Sequence, residues 1–536
     1  MFPSGSPEHR ATGAAEPGLS HLRLLIVNLV SIAVAVVAGV VALVRWLRVS
    51  QREHYLPGAC RRTAHRWIER RPPNLILAAM ASLAAAGALA AALAQIDSIT
   101  AAAVILAVVL AAIFPWPMTV LGREVRLKFT RRARTLAAIV LVLEVVLAVL
   151  GFMLGVGAAA LALAVVATPL LVDLGASVAQ PIERRLLERH RRLAETKLRQ
   201  IDPFVIAVTG SWGKTSTKGH IRDLISGSAE VVASPASWNN TAGLARTINE
   251  HLGERTEVLV AEMGMYGPGE IRSLCAWVPP RIAVICAIGP MHLERVGSIE
   301  GIVAAKAEIL ESAEMAVLWV GEPRLAELAR RTAVPQVWSV GPRGTEGARV
   351  EVGQEGDDLV VWADGDVVGA VPVASGVHAG NVGCAVAAAL AYGIPAAVIA
   401  RRLPSISNPA HRAVAGANDR GVTVIDDTFN ANPAGALAAV NALQATVRGR
   451  RAVATPGMVE LGDEQDERNE ALAQAIVKSG ATLLAIGWTN RDALRRGSSG
   501  EVVTVPSREA ARDWVRANLG AGDGVLWEND LPDHYP

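Results

Sequence analysis

The stretch VTGSWGKTSTKGHI, residues 208–221, decides how most of this chain is read. It follows IDPFVIA, a short apolar run built on Val and Ile, and leads into a segment of helical character. Strand, glycine-bearing turn and helix is the context in which backbone N–H groups and a helix N-terminus face phosphate. Thr209, Gly210, Ser211, Trp212, Gly213, Lys214, Thr215 and Ser216 form the expected grip. Lys214 would neutralise phosphate charge, and the Thr215 hydroxyl would reach Mg2+. The general pattern G-x-x-x-x-G-K-[ST] is not met, because Val208 stands where its first glycine would be. The motif present is T-G-x-x-G-K-T.

Upstream the character changes. Hydrophobic residues make up 51% of the 536-residue chain, and the mean hydropathy is +0.33. Both are high for a soluble protein. Five runs, 24–44, 75–93, 99–120, 136–154 and 158–176, are long enough to cross a bilayer. Residues 45–71 carry eight arginines, and 122–135 and 182–200 are also Arg-rich, whereas QIDS and LGVG between the other spans have neither Lys nor Arg. The positive-inside rule puts the basic loops, and everything after the fifth span, in the cytoplasm of a multi-pass inner-membrane protein. Basic runs beside spans suit anionic headgroups, and nucleic acid is not an expected partner. Glu144 and Asp173 fall inside spans and are functional candidates on that ground. Residues 1–22 are Gly/Pro/Ser-rich and expected to be disordered, without the pattern of a cleaved signal peptide. Cys60, Cys275, Cys286 and Cys384 form no C-x-x-C pair, which argues against a disulfide scaffold or structural zinc.

Downstream, VLVAEMGMYGPGEI reads as an apolar strand ending in Glu262, a carboxylate well placed to hold a metal near phosphate. RIAVICAIGPMHLERVGSIEGIVAAKAEIL is another strand, then His292, then a helix bearing Lys306; SWNNTAG supplies Asn239 and Asn240. Residues 348–373 alternate as a small antiparallel sheet, followed by a helix over 378–392. After ISNPAHR, a linker, strands and helices alternate to the end as a Rossmann-like domain, and no G-x-G-x-x-G follows its first strand.

These pieces, with GVHAGNVGCA, IDDTFNANP and GMVELG, occur in an order that resembles the Mur ligase family, in particular the branch that adds D-alanyl-D-alanine to the UDP-muramoyl tripeptide. The resemblance covers 205 to about 465. It implies ATP-driven acyl-phosphate formation followed by attack of an amine, with ATP and Mg2+ as cofactors. Thr215 and Glu262 would hold one metal, and His292 would help hold another. Lys306 matches a lysine that family members often carry as a carbamate. Asn381 would contact adenine, and Arg412, Asp427, Asn430 and Asn432 would lie near the nucleotide. Lys214, Lys306 and His292 are the catalytic candidates.

Two features depart from the family pattern. The UDP-binding domain is replaced by the apolar segment. The chain also ends VLWENDLPDHYP, where the D-alanyl-D-alanine branch has a lysine-glycine-serine-arginine stretch. The acceptor and the amine therefore stay open.

The expected architecture is multidomain: a transmembrane α-helical segment over 23–178, a basic linker helix over 179–200, an α/β P-loop central domain over 201–407, and a Rossmann-like α/β domain over 408–536. The expected function is a membrane-anchored ligase joining a small-molecule or lipid-linked carboxylate acceptor to an amine. A γ-polyglutamate-type polymer synthetase, a transport-linked membrane ATPase and a silent scaffold are the alternatives. The metal residues count against the last two.

Overall fold

The computed structural model describes residues 17–121, 126–291, 293–373, 377–406, 414–428, 431–531 and 534–536. The chain divides into two compact units, 1–183 together with 531–536, and 184–530.

The first unit is helical: α1 (Pro17–Arg52), α2 (Ala59–Arg70), α3 (Pro73–Leu93), α4 (Asp97–Ile113), α5 (Arg131–Met153), α6 (Gly157–Val166) and the apolar start of α7 (Thr168–Ile201). Small residues line its interior, among them Ala85, Ala88, Ala107, Ala159 and Ala162. They let backbones approach closely where larger side chains would hold them apart. A Cβ on Gly151 would sit 2.2 Å from that of Ala160, so the turn from α5 to α6 requires glycine there. The outer faces are apolar as well: Val37, Leu83, Val142 and Phe152 are all exposed.

Among the described residues three helices are long and apolar enough to span a membrane, within Ile26–Arg52, Pro73–Leu93 and Arg131–Met153, and a fourth span results if the pair α6–α7, bent by 76°, counts as one. That differs from the five expected. The run over 99–120 yields only α4, because Pro115 and Pro117 remove donors and end the helix at Ile113. Its 17 residues reach about 25 Å at about 1.5 Å per residue, at the lower limit for a crossing. Two other boundaries also move. The expected linker helix is continuous with the fifth apolar run in α7, and Pro181 lies inside it. The described part of helix α1 already covers 17–22, inside the stretch expected to be disordered.

Polar side chains in this unit close helix ends. Arg45 donates to the carbonyls of Ala112 and Phe114, and Arg48 to that of Thr119, so both satisfy the backbone where α4 stops. Asp173 accepts from the N–H groups of Cys60 (3.0 Å) and Arg61 (2.9 Å) and caps α2. That gives Asp173 a structural task, where the sequence had marked it as a functional candidate. Glu144 is buried on α5. The final residues also belong here: Trp67 donates to the carbonyl of His534 (2.8 Å), whose ring lies 3.1 Å from Glu53.

In the second unit, the central domain runs β1 (Phe204–Thr209), α8 (Lys214–Ile225), β2 (Val231–Ala233), α9 (Thr241–His251), β3 (Val258–Glu262), α10 (Glu270–Cys275), β4 (Ile282–Ile285), α11 (Leu293–Val296), α12 (Ile299–Ala307), β5 (Met315–Trp319), α13 (Pro323–Arg331), β6 (Gln336–Pro342), β7 (Val350–Glu355), β8 (Asp358–Ala363), β9 (Asp366–Pro372), α14 (Ala379–Tyr392) and α15 (Ala396–Arg402). Among the described residues the sheet order is β2-β3-β1-β4-β5-β6-β7-β8-β9. The expected small antiparallel sheet is not separate. Strand β7 pairs in parallel with β6 through Val340 and Val350, so β7–β9 extend the main sheet. Because β3 and β4 flank β1 on opposite sides, chain order reverses at β1, and the crevice beyond its C-terminal end is where such sheets bind ligands.

The C-terminal domain runs β10 (Val414–Ala417), β11 (Thr423–Asp427), α16 (Pro433–Thr446), β12 (Arg451–Thr455), α17 (Gln465–Lys478), β13 (Thr482–Ile486), α18 (Arg491–Gly497), β14 (Val503–Val505), α19 (Arg508–Asn518) and β15 (Gly524–Glu528). Its order is β10-β11-β15-β12-β13-β14, parallel except for the edge strand β10, which sequence reading missed.

Replacing Asp173 with Ala leaves two N–H groups of α2 without their acceptor, so a loss of about 1–2 kcal/mol is expected. Thermal unfolding of the detergent-solubilised chain should show a lower Tm for Asp173→Ala and a smaller drop for Asp173→Asn. An unchanged Tm for both would remove the capping role.

Candidate active site

The phosphate loop is held from both sides. Gly213 takes φ 77°, and a Cβ there would lie 2.2 Å from Asn381 Oδ1, so this position needs glycine on both counts. Ser211 is tied to the loop after β4: its hydroxyl donates to the Gly289 carbonyl (3.1 Å), and its N–H donates to Ala287 O (2.8 Å). Trp212 packs so closely on Gly289 that a Cβ there would meet its ring at 2.1 Å. The expected strand, turn and helix are all present, with Lys214 and Thr215 opening α8.

Glu262, at the end of β3, is the hub of the site and is 1% exposed. Thr215 donates its hydroxyl to Oε2 (2.9 Å), Lys218 reaches the same oxygen (3.0 Å), and Asn239 donates to Oε1 (3.0 Å). Parallel pairing of β1 with β3 sets Val208 against Glu262 and brings the carboxylate beside the loop. Lys218 was not among the expected residues. It lies one helical turn after Lys214 on α8 and is almost fully buried against Glu262. Removing one member of a buried pair of this kind typically costs about 3–5 kcal/mol.

Lys214 folds back to donate to the Gly210 carbonyl (2.8 Å), and Lys306 on α12 donates to the same oxygen (3.1 Å). Burial, and then the charge of Lys214, push the pKa of Lys306 well below the usual lysine range. A neutral amine is the form that adds carbon dioxide to become a carbamate. Two residues further on, Glu308 accepts from the N–H groups of Gly269 (2.7 Å) and Arg272 (3.0 Å) and fixes the start of α10.

Asn381 lies against the loop, its Oδ1 3.3 Å from the Thr217 hydroxyl. The remaining candidates fall in two groups. Asp427 ends β11 in register with Glu528 on β15, and Asn432 caps α16 through Gly435 N (2.9 Å). His292, Arg412 and Asn430 lie outside the described residues. The Glu528 carboxyl is fully buried, and burial together with the nearby Asp427 carboxylate raises its pKa well above the ordinary range, which favours the protonated form. Between the two domains, Arg295 on α11 reaches Glu460 in the GMVELG loop (3.4 Å).

The hydroxyl of Thr215 and the carboxylate of Glu262 are hard oxygen donors of the kind Mg2+ takes. Among the described residues no group of three or more His, Cys, Asp or Glu comes together as a metal cage. A metal held here would have to share Glu262 with Lys218.

Such a loop, backed by a buried carboxylate and followed by a second α/β domain, defines a phosphate-loop nucleotide-dependent enzyme. Residues 208–389 match the model of the Mur ligase middle domain, and 412–528 match that of the Mur ligase, glutamate ligase domain. The chain belongs to the Mur ligase family of ATP-dependent amide-bond ligases.

It is 30% identical over 374 residues to the UDP-N-acetylmuramoyl-tripeptide–D-alanyl-D-alanine ligase of Mycobacterium leprae, covering 60% of this chain and 70% of that one. It is 32% identical over 365 residues to the enzyme of the same name from Mycobacterium tuberculosis, covering 60% and 69%. The fold is similar to that of MurF from Acinetobacter baumannii (TM-score 0.56, 23% identity, 64% of this chain and 77% of that one). It is also similar to that of MurF ligase from Thermotoga maritima in complex with ADP (TM-score 0.55, 24% identity, 64% and 80%).

The lowered pKa of Lys306 gives a prediction with a sign. Because its folded-state pKa is depressed, the unfolded state binds the extra proton between that lowered pKa and about 10.4, and across this window the stability of the unmodified chain rises with pH. Lys306→Met removes this penalty. In bicarbonate-free buffer the variant should melt at or above the wild-type temperature at pH 7, with the gap narrowing as pH rises, and it should lose ligase activity. A variant that melts well below wild type at pH 7 would contradict the neutral-amine reading.

Proposed function

We propose that this chain is a membrane-anchored ligase that uses ATP to phosphorylate the carboxylate of a cell-wall peptide precursor, and then joins that carbon to an amino acid or dipeptide. The observation that carries the reading is the convergence of Lys214, Lys306 and the Thr215–Glu262 pair on one phosphate loop. Chemistry of this kind needs positive charge at the transferring phosphoryl group and little else covalent from the protein. Lys214 and the N-terminus of α8 supply it. The carboxylate oxygen attacks the γ-phosphorus, ADP leaves, and the acyl phosphate is attacked by an uncharged amine. The tetrahedral intermediate then expels phosphate as the amide forms. Mg2+, held by Thr215 and Glu262, would supply further charge neutralisation when bound, and His292 is the candidate for helping to hold a second ion. A carbamate on Lys306 would turn a buried amine into a carboxylate beside Lys214 and add a second anchor for cation and nucleotide.

The proposed membrane anchoring rests on the three long apolar helices and on the outward Val, Leu and Phe side chains of the first unit. A band of that extent suits lipid better than water. The basic segments flanking the helices favour an orientation with the ligase domains in the cytoplasm. The names of the relatives favour D-alanyl-D-alanine as the amine and a muramoyl tripeptide as the acceptor.

The full-length chain in nanodiscs, given ATP, Mg2+ and muramoyl tripeptide linked either to UDP or to a polyprenyl diphosphate, should release ADP only when an amine such as D-alanyl-D-alanine is added. Lys214→Ala should lower that rate by about 10²–10³, the usual cost of removing one preorganised charge from a transition state. ADP release that ignores both acceptor and amine would point instead to a membrane ATPase.

A further inference from the structure

The second half of α7 lines an open groove of about 990 Å³ whose opposite wall carries Thr241 and Ser273. We propose that this groove binds the diphosphate of the acceptor's carrier group; the proposal rests on the ligase reading above and names where its acceptor docks.

The charge pattern comes first. Five arginines line the groove against one glutamate, Glu188. Arg185, Arg189 and Arg192 recur at i, i+4 and i+7, so they form one stripe along the helix, with Arg184 and Arg191 on the neighbouring stripe. Glu188 is committed to Arg191 and Arg192 (2.7 and 2.8 Å), and their hydrogen bonds hold its pKa at about 2. Arg191 is also bound to Glu195 (2.8 Å). Among the described residues no carboxylate pairs with Arg184, Arg185 or Arg189, and all three are exposed. The groove therefore presents three uncompensated guanidinium groups, whose forked donors fit phosphate oxygens.

The second observation is where the walls lead. Thr241 begins α9, whose start is capped by Asn240 through Gly243 N (2.9 Å). It follows Asn239 and Asn240 directly, and Asn239 is hydrogen-bonded to Glu262 in the phosphate site (3.0 Å). Ser273 lies on α10, whose start is fixed by Glu308, two residues after Lys306. Both elements facing the arginines are thus built into the walls of the reaction site. A ligand anchored in the groove by its diphosphate would extend its distal carboxylate towards Glu262 and the loop. The volume suits a ligand of sugar-diphosphate size.

A diphosphate could come from a polyprenyl carrier or from a nucleotide carrier, and bulk anionic headgroups are the competing source of contact. The test uses the full-length chain in phosphatidylcholine nanodiscs, with the ATP site filled by a non-hydrolysable ATP analogue and Mg2+. Binding of farnesyl diphosphate, UDP and inorganic pyrophosphate is measured for wild type and for the Arg184→Gln/Arg185→Gln/Arg189→Gln variant. The expected result is saturable binding of a diphosphate probe that weakens at least tenfold in the variant, with affinity for the ATP analogue within twofold of wild type. Binding of farnesyl diphosphate alone identifies a lipid carrier; equal binding of UDP identifies a nucleotide carrier; both support the groove. Should the triple change also weaken the ATP analogue, the single Arg189→Gln variant carries the same comparison.

The proposal is overturned if no probe binds wild type, if the Gln variants bind as well as wild type, or if phosphatidylglycerol nanodiscs alone abolish probe binding. Binding is read without ligation, so a chain that binds diphosphate but never ligates refutes the ligase reading and keeps the groove. Ligation without diphosphate binding does the reverse.

Discussion

The carboxylate of Glu262 is the point on which the reaction site is assembled. One oxygen is shared by the Thr215 hydroxyl and the Lys218 ammonium, and the other is held by Asn239. A carboxylate buried to this degree is tolerable only when its lone pairs are satisfied and its charge is matched. Satisfying it fixes the first turn of α8, the loop before α9 and the end of β3 relative to one another. The Gly210 carbonyl plays the complementary part, drawing Lys214 and Lys306 to one oxygen. Two lysines so close cannot both keep a full charge at low cost, and burial makes Lys306 the one whose pKa is pushed down.

The parts of the site legible in the sequence were those with a local signature. Strand, glycine turn, Lys214 and Thr215 follow one another directly, and Glu262 announces itself as an acid closing an apolar strand. Lys218 was not legible, because its importance comes from a partner 44 residues away, brought close by a strand pairing that periodicity does not specify. The same limit applies to β7, which reads as part of a small antiparallel sheet, while its parallel pairing with β6 has no local signature. Asp173 was legible only as an acid in an apolar run; the two backbone donors of α2 that it accepts from lie more than 110 residues away. The early end of α4 was readable from Pro115 and Pro117, and was outweighed by the length of the apolar run around them.

The two units distribute their apolar residues differently. In 184–530, apolar residues turn inward around parallel sheets, and polar groups gather at strand ends. In the first unit, alanine and glycine fill the interior while large apolar side chains point outward, an inversion that favours lipid as the surrounding medium. Helix α7 belongs to both regimes, apolar at its start and Arg-rich in its second half.

The central claim is that ATP activates a carboxylate. Its most direct test is an oxygen-transfer measurement: ligation is run with an acceptor whose reacting carboxylate carries ¹⁸O, and the released inorganic phosphate is analysed by mass spectrometry. An acyl phosphate transfers one carboxylate oxygen to phosphate in each turnover, so labelled phosphate should appear in step with amide product. Unlabelled phosphate accompanying amide formation would contradict the account.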